Sequence, residues 1–448
     1  MVHGLDEVCG RALAEHGCPS VSVAVAERGR VVLARAYGTA DPATGRPATP
    51  GTAYPLASVT KPMTATAVCA AADDGLLDLD TPVPRTLGEF GDGPAPTPRQ
   101  LLQHRGGLGA YYDWDYGDGA PLPDADRYTV LHRAPGSGFE YANLGYRVLG
   151  RLLELRTGRP AAAFVRERVL APLGLTGSHL GRTYPGPAPA AARHTADGRR
   201  YPDTLDCSHP GATLGWAPAG ELALFAQTYP RLLAPDTAAA VADAPPITGH
   251  VGYGLGWVVS TAPGPVVHSH GGGGPGTAAM LVSVPARELS VAVLTNSTDK
   301  GARDAVLRHL LPALVPGHRP ELIQPYAADP PRPHRLPEGT WTGRVAAPER
   351  DVPARLRVLP GGRITLRLDG PGGPEATAPA TASATRDLQA ALPLQLPTAD
   401  ARISSPSLLL ALTLHEGRLT GTACAYKDGD REGRLGNLIG QPCAFRPE

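Results

Sequence analysis

Seven prolines between residues 316 and 337 (Pro316, Pro320, Pro325, Pro330, Pro331, Pro333 and Pro337) divide this chain into two stretches of different texture. Proline lacks the backbone donor that helices and inner strands need, so such a run reads as a stiff spacer. Ahead of it, strand and helix patterns alternate; behind it, only short strand-like runs recur. At 448 residues the chain is also longer than one core ordinarily organises. We therefore expect two domains, residues 1–318 and 338–448, joined by a linker over 319–337.

In the first stretch, residues 20–38 read as a β-hairpin. Val21, Val23 and Val25 alternate, Glu27-Arg28-Gly29-Arg30 turns the chain, and Val31 to Tyr37 returns it. A helix starts near Ser58 and stops near Gly75. Another spans Leu144 to Thr157, with Leu144, Val148, Leu149, Leu152 and Leu153 at helical spacing and Gly158 as its C-cap. Thr277 to Val284 and Leu289 to Thr295 read as paired strands, and an amphipathic helix over about 301–315 follows. This order predicts an α+β fold, with helices flanking one antiparallel sheet. Beyond the linker, Trp341–Val345, Arg355–Val358, Ile364–Leu368, Leu408–Leu414 and Leu419–Ala425 predict a small antiparallel barrel or sandwich.

The charge pattern excludes some functions. The 42 basic and 42 acidic side chains cancel, and no Lys/Arg-rich run occurs, which argues against a nucleic-acid partner. No stretch approaches the roughly 18 apolar residues of a membrane span. The N-terminus carries Asp6 and Glu7 where a secretory leader would be basic, so a cytoplasmic protein with no membrane partner is expected. Its six cysteines are dispersed without C-x-x-C spacing and read as reduced, packed thiols. The histidines lack H-E-x-x-H spacing, and His268-Ser269-His270 has no obvious carboxylate partner. No metal and no cofactor are expected.

Three short constellations carry chemistry. Ser58-Val59-Thr60-Lys61 opens a predicted helix, and residues three apart share a helix face, so the amine can reach the hydroxyl. A serine hydroxyl needs a base to become a nucleophile, and a lysine whose pKa falls can be that base. Tyr141-Ala142-Asn143 precedes the Leu144 helix; the phenol could relay a proton and the carboxamide could orient lysine and substrate. His270-Gly271-Gly272-Gly273 enters a predicted strand, where glycines let a substrate approach backbone N–H groups. Each has an ordinary alternative: an N-cap serine with a surface lysine, a buried tyrosine with an asparagine N-cap, or a Gly-rich turn.

Together, their order and settings resemble the serine β-lactamase-related enzymes, which include penicillin-binding proteins, class C-type β-lactamases, esterases and D-stereospecific peptidases. His104-Arg105-Gly106-Gly107-Leu108, Pro172-Leu173-Gly174-Leu175 and Tyr253-Gly254-Leu255-Gly256-Trp257 resemble further landmarks of that family, over about residues 10–315. The resemblance implies a β-lactamase/DD-peptidase-like fold with Ser58 as nucleophile, Lys61 as its activator and Tyr141 as proton shuttle. Asn143 would position the substrate amide, and the N–H groups of Ser58 and Gly273 would form the oxyanion hole. His270 stands at the third motif's basic position, where a neutral imidazole anchors a carboxylate weakly. That disfavours β-lactam hydrolysis. His268 is read as structural. The aromatic segment 109–127, with Tyr111, Tyr112 and Trp114, is expected to contact substrate together with Gly271 and Gly272.

The C-terminal stretch resembles the lipocalin-like domain fused to D-stereospecific aminopeptidases and to penicillin-binding-protein-type thioesterases. This implies an acyl-enzyme acting on an intracellular peptidyl or small acyl thioester, ester or amide. Peptide release or macrocyclisation leads, with a carrier protein delivering the acyl group. The alternative is a D-stereospecific peptidase, amidase or carboxylesterase. A non-catalytic binding protein of the same fold stands behind both, weakened because no motif residue is missing.

Overall fold

Valine alternation places Ser20–Glu27 (β1) in the middle of a sheet, buried on both faces up to its last residue. The computed structural model describes residues 3–448 except 120–121, 187, 248, 261–263, 324–330, 403–404 and 427–428. Pro325 and Pro330 of the proline-rich segment lie outside the described residues. β1 pairs with Arg30–Asp41 (β2), completing the expected hairpin through Arg28 and Gly29, both at positive φ. A two-residue strand, Tyr111–Tyr112 (β3), follows far along the chain. His268–Gly274 (β4), Thr277–Val284 (β5) and Leu289–Thr295 (β6) then complete the centre of the sheet. Its eight strands run in the order Arg46–Pro47, β2, β1, β6, β5, β4, Val258–Ser260, Val251–Tyr253.

The two-residue period of the strands sorts their side chains into two cores. Val21, Val23 and Val25 of β1, with Val282 of β5 and Val293 of β6, face helices Leu5–Glu15 (α1) and Gly301–Leu314 (α5). Ala24 and Ala26, with Leu281 and Leu294, face the opposite way, onto the core that holds the remaining helices. Those are Thr60–Asp73 (α2), Asn143–Thr157 (α3) and Ala219–Thr228 (α4). Every residue of α2 from Thr60 to Ala71 is buried. A helix enclosed all round can carry Ala65, Ala67, Ala70 and Ala71 on every face, because each face meets protein.

From Arg332 onward, ten strands of an eleven-stranded antiparallel sheet curl into a half-barrel. Asp351–Leu359 shows how: Val352, Ala354, Leu356 and Val358 point inward and alternate with exposed residues. The expected runs are present as strands, from Gly339–Ala346 to the last, Leu438–Pro447 (β7). Both described ends of the proline-rich segment are tied down. Leu322 and Ile323 are buried beside α5, and Arg332–Pro333 pairs with Thr381–Ala382. Strand β3 belongs to the C-terminal sheet, with Tyr112 opposite Leu438 and Tyr111 opposite Ile439. All six cysteines are buried free thiols, as their spacing implied. Among the described residues, no helix is long and apolar enough to cross a membrane.

Candidate active site

Ser58 sits in a 3-10 turn, Ala57–Val59, that runs directly into α2. Ala57 has φ 45°, a left-handed conformation that strains a residue bearing a side chain. One turn on, the Lys61 side chain is fully buried. Its Nζ lies 3.1 Å from Ser58 Oγ, 2.8 Å from Asn143 Oδ1 and 3.2 Å from the Ala212 carbonyl oxygen. Burial holds its pKa well below the ordinary lysine value, against a smaller opposing effect of Cys207. A neutral amine has two N–H bonds and one lone pair. In that form the two carbonyl-type oxygens would take the N–H bonds, leaving the lone pair for the Ser58 proton.

Asn143 is the first residue of α3, and Ala142 occupies the N-cap without a side-chain cap bond. The asparagine-cap alternative is therefore overturned. The carboxamide is committed to the site instead: Oδ1 accepts from Lys61 Nζ, and Nδ2 donates to the Tyr111 carbonyl at 2.9 Å. The Tyr141 ring lies 4.7 Å from Lys61 Nζ, close enough for cation–π attraction whenever the amine is charged. His104 flanks that ring at 4.2 Å and accepts the Ala142 N–H on Nδ1 at 3.1 Å, which fixes the Tyr141 backbone from behind.

His270 is neutral and fully engaged. Its Nδ1–H donates to the Gly271 carbonyl at 2.8 Å, and its Nε2 accepts from the Tyr253 hydroxyl at 2.7 Å. Burial lowers its pKa to about 3, the ordinary imidazole value being 6.5. Next to it, a side chain on Gly272 would begin 2.2 Å from the Leu56 carbonyl oxygen, so only glycine lets β4 press against the Ser58 turn. On the side facing that turn, Val258–Ser260 pairs only with His268 and Ser269. Among the described residues, the β4 edge from Gly271 to Gly274 has no strand partner there. His268 is buried beside Trp257, in keeping with a structural role.

One cleft of about 570 Å³ gathers these groups. Ser58, Tyr141, Asn143, His270 and Gly271 to Gly273 line it with Tyr111, Tyr112 and Trp114, and Lys300 and Arg303 from the start of α5 and Leu438 from β7 are among the other wall residues. The aromatic segment is held from the C-terminal sheet. Gly440 N–H donates to the Ala110 carbonyl at 2.9 Å, Trp114 N–H to Asn437 Oδ1 at 3.2 Å, and the Tyr116 hydroxyl to the Leu435 carbonyl at 2.9 Å.

A family model described as Beta-lactamase matches residues 5–314. The chain belongs to the β-lactamase family. Within it, the chain is 40% identical over 194 residues to the esterase EstB of Burkholderia gladioli, a match covering 38% of this chain and 49% of the esterase. The chain thus spans about half the length of that relative. It is 30% identical over 387 residues to a D-aminopeptidase of Brucella ovis, covering 80% of this chain and 69% of the relative. The solved structure of SurE with D-Leu superimposes with a TM-score of 0.66 at 23% identity, over 94% of this chain and 96% of that one. The shared fold therefore extends through the C-terminal half-barrel.

Several groups of this β-lactamase-family site were not singled out as functional from the sequence. His104 stood only as a landmark, yet it packs on Tyr141; its left-handed φ of 54° gives no signal in the residue string. Tyr253 likewise lay in a landmark and turns out to hold His270. Lys300 and Leu438 carry no motif at all. Only the tertiary fold brings them to the cleft.

Proposed function

We propose that this chain is a serine acyl-enzyme hydrolase in which Ser58 is acylated by a small amide, ester or peptidyl substrate. The observation that carries this reading is the buried Lys61, whose Nζ lies 3.1 Å from Ser58 Oγ and is held by Asn143 Oδ1 and the Ala212 carbonyl. In acylation, Ser58 Oγ bonds to the acyl carbon as its proton passes to Lys61. Carbonyl electrons move onto oxygen, toward the Ser58 and Gly273 N–H groups. Collapse expels the amine or alkoxide, which takes a proton by way of Tyr141. Water or an amine then repeats the sequence and frees the serine.

The preferred acyl group in this reading has D configuration, supported by kinship with the Brucella D-aminopeptidase over most of both chains. A second reading is transfer of a peptidyl thioester from a carrier protein to an internal amine. Its support is the aromatic wall of the cleft, which would seat a peptidyl chain and shield it from water. Paired D- and L-alanine p-nitroanilides and a peptidyl thioester, each tested beside Ser58→Ala, separate these readings. The proposal predicts a D preference of about tenfold or more. Equal rates on both enantiomers would overturn the stereospecific version. A cyclic product from the thioester, formed faster than amide hydrolysis, would favour the second reading.

A further inference from the structure

Tyr141 lies outside any helix or strand, two residues ahead of α3, so tertiary contacts alone set its place beside Lys61. Neighbours in an extended segment point to opposite sides. Phe139 and Tyr141 line the cleft and pack against Val251, Tyr253 and Val258. Glu140, between them, turns the other way. Its backbone N–H donates to the His104 carbonyl at 2.8 Å, and its carboxylate takes two guanidinium groups. Arg133 Nη2 donates to Glu140 Oε2 at 3.1 Å, and Arg386 Nη2 pairs with the same oxygen.

The two cations differ in origin. Arg133 is a close neighbour in sequence, whereas Arg386 comes from the half-barrel, 246 positions further along the chain. The Arg386 side chain is 8% exposed and that of Glu140 12%, so solvent screens this pair little. Arg386 is also fixed at its base. Its N–H donates to Ser383 Oγ at 3.1 Å and its Nη1 to the Thr385 carbonyl at 3.0 Å; the next residue, Asp387, donates its N–H to the Leu412 carbonyl at 2.9 Å. A side chain held at both ends transmits the position of its sheet to what it grips. Among the described residues, neither arginine lines the cleft, so Arg386 reaches the reacting groups through Glu140.

We propose that Arg386 is a positioning residue for proton transfer: through Glu140, the half-barrel holds Tyr141 where it protonates the leaving group. The inference rests on the reading that Ser58 is acylated with Tyr141 as relay, and it extends that reading to the second domain. In the step concerned, the acyl C–N bond breaks and its electron pair stays on nitrogen. The proton that Ser58 gave to Lys61 reaches that nitrogen by way of the Tyr141 hydroxyl. An amine leaves poorly without this proton, whereas 4-nitrophenolate leaves without it. A loosened Tyr141 therefore slows amide cleavage and spares activated esters. Removing Arg386 still leaves Glu140 paired with Arg133, so no buried carboxylate is stranded.

The test uses the full-length protein with D-alanine p-nitroanilide and p-nitrophenyl acetate. Arg386→Gln is expected to lower kcat for the anilide about 10- to 100-fold with KM little changed, while acylation of Ser58 by the ester stays within about threefold. Arg386→Lys, which keeps the charge, should recover most of the loss. Added to Tyr141→Phe, Arg386→Gln should cause no further loss on the anilide, because both act on one step. Glu140→Gln weakens the tether from its other end and should give the same split, which keeps the test decisive if Arg386→Gln does not fold. Equal losses on the two substrates, no loss on the anilide, or fully additive losses in the double variant would overturn the positioning role. Failure of the serine reading is distinct: the wild-type protein would form no acyl adduct with p-nitrophenyl acetate.

Discussion

Lys61 Nζ stands 3.1 Å from Ser58 Oγ, with Asn143 Oδ1 and the Ala212 carbonyl occupying its other two directions. Motifs alone place a serine and a lysine on one helix face; the oxygens around the amine decide which atom is left to meet the hydroxyl. A surface lysine would keep three N–H donors and a charge. Here burial disfavours the charged form, and in the neutral form the two acceptors would aim the lone pair at Ser58.

Lys61→Met should lose about a thousandfold or more in kcat, because it removes the amine that lies 3.1 Å from Ser58 Oγ. It should also be more stable than the wild type at pH 7. The folded-state pKa of Lys61 is lowered, so the unfolded chain binds the proton more tightly. Stability is greatest above the unfolded value of about 10.5 and falls as pH drops toward the folded value. Methionine removes that penalty. Thermal melts of both proteins at pH 7 and pH 10 check this, with the gap expected to narrow at the higher pH.

The buried histidines make a second pH prediction. Burial lowers His132, His209 and His268 to about 4, and His270 to about 3, from an ordinary value of 6.5. Each is uncharged when folded, so its contribution is complete above pH 6.5 and is lost as pH falls toward the folded value. At pH 5.5, one unit below the ordinary value, each should remove about 1.4 kcal/mol of stability. Melting curves from pH 7.5 to 5 should show a steep fall in Tm. A flat profile would contradict neutral burial.

Gly272→Ala tests the contact between β4 and the nucleophile turn. The added methyl would meet the Leu56 carbonyl oxygen at 2.2 Å and Val59 at 3.2 Å. Backbone must move, at about 1–3 kcal/mol, and the oxyanion donors move with it. A drop in kcat of about a hundredfold, with KM little changed, is the expected result in steady-state kinetics.

How much of this was legible in the residue string follows from distance along the chain. Ser58 with Lys61, and Tyr141 with Asn143, are local patterns whose geometry a helix and its entry impose. His270 to Gly273 could be read only beside the other two motifs, because alone the run suits a Gly-rich turn. The half-barrel's part in the cleft could not be read. Trp114 and Asn437 bond across 323 positions, and nothing in either segment specifies the other. The role of Asn143 was ambiguous for a different reason: the same side chain suits an N-cap or a lysine, and only packing chose.

Gly440→Ala tests that long-range support. Its methyl would stand 2.7 Å from the Ala110 carbonyl oxygen and push β7 off the aromatic segment. Tyr112 and Trp114 line the cleft but lie outside the Ser58–Lys61 pair. KM for a peptidyl substrate should therefore rise about tenfold, while labelling of Ser58 by a small activated ester stays near wild type.

The central claim, acylation of Ser58 through Lys61, is tested most directly by intact-mass spectrometry of the protein quenched during turnover of a p-nitrophenyl ester. The account predicts one added acyl mass on the wild type, mapped to the Ser58 peptide. It also predicts no adduct on Ser58→Ala or Lys61→Met. Turnover without any adduct, or an adduct that survives in Ser58→Ala, would contradict it.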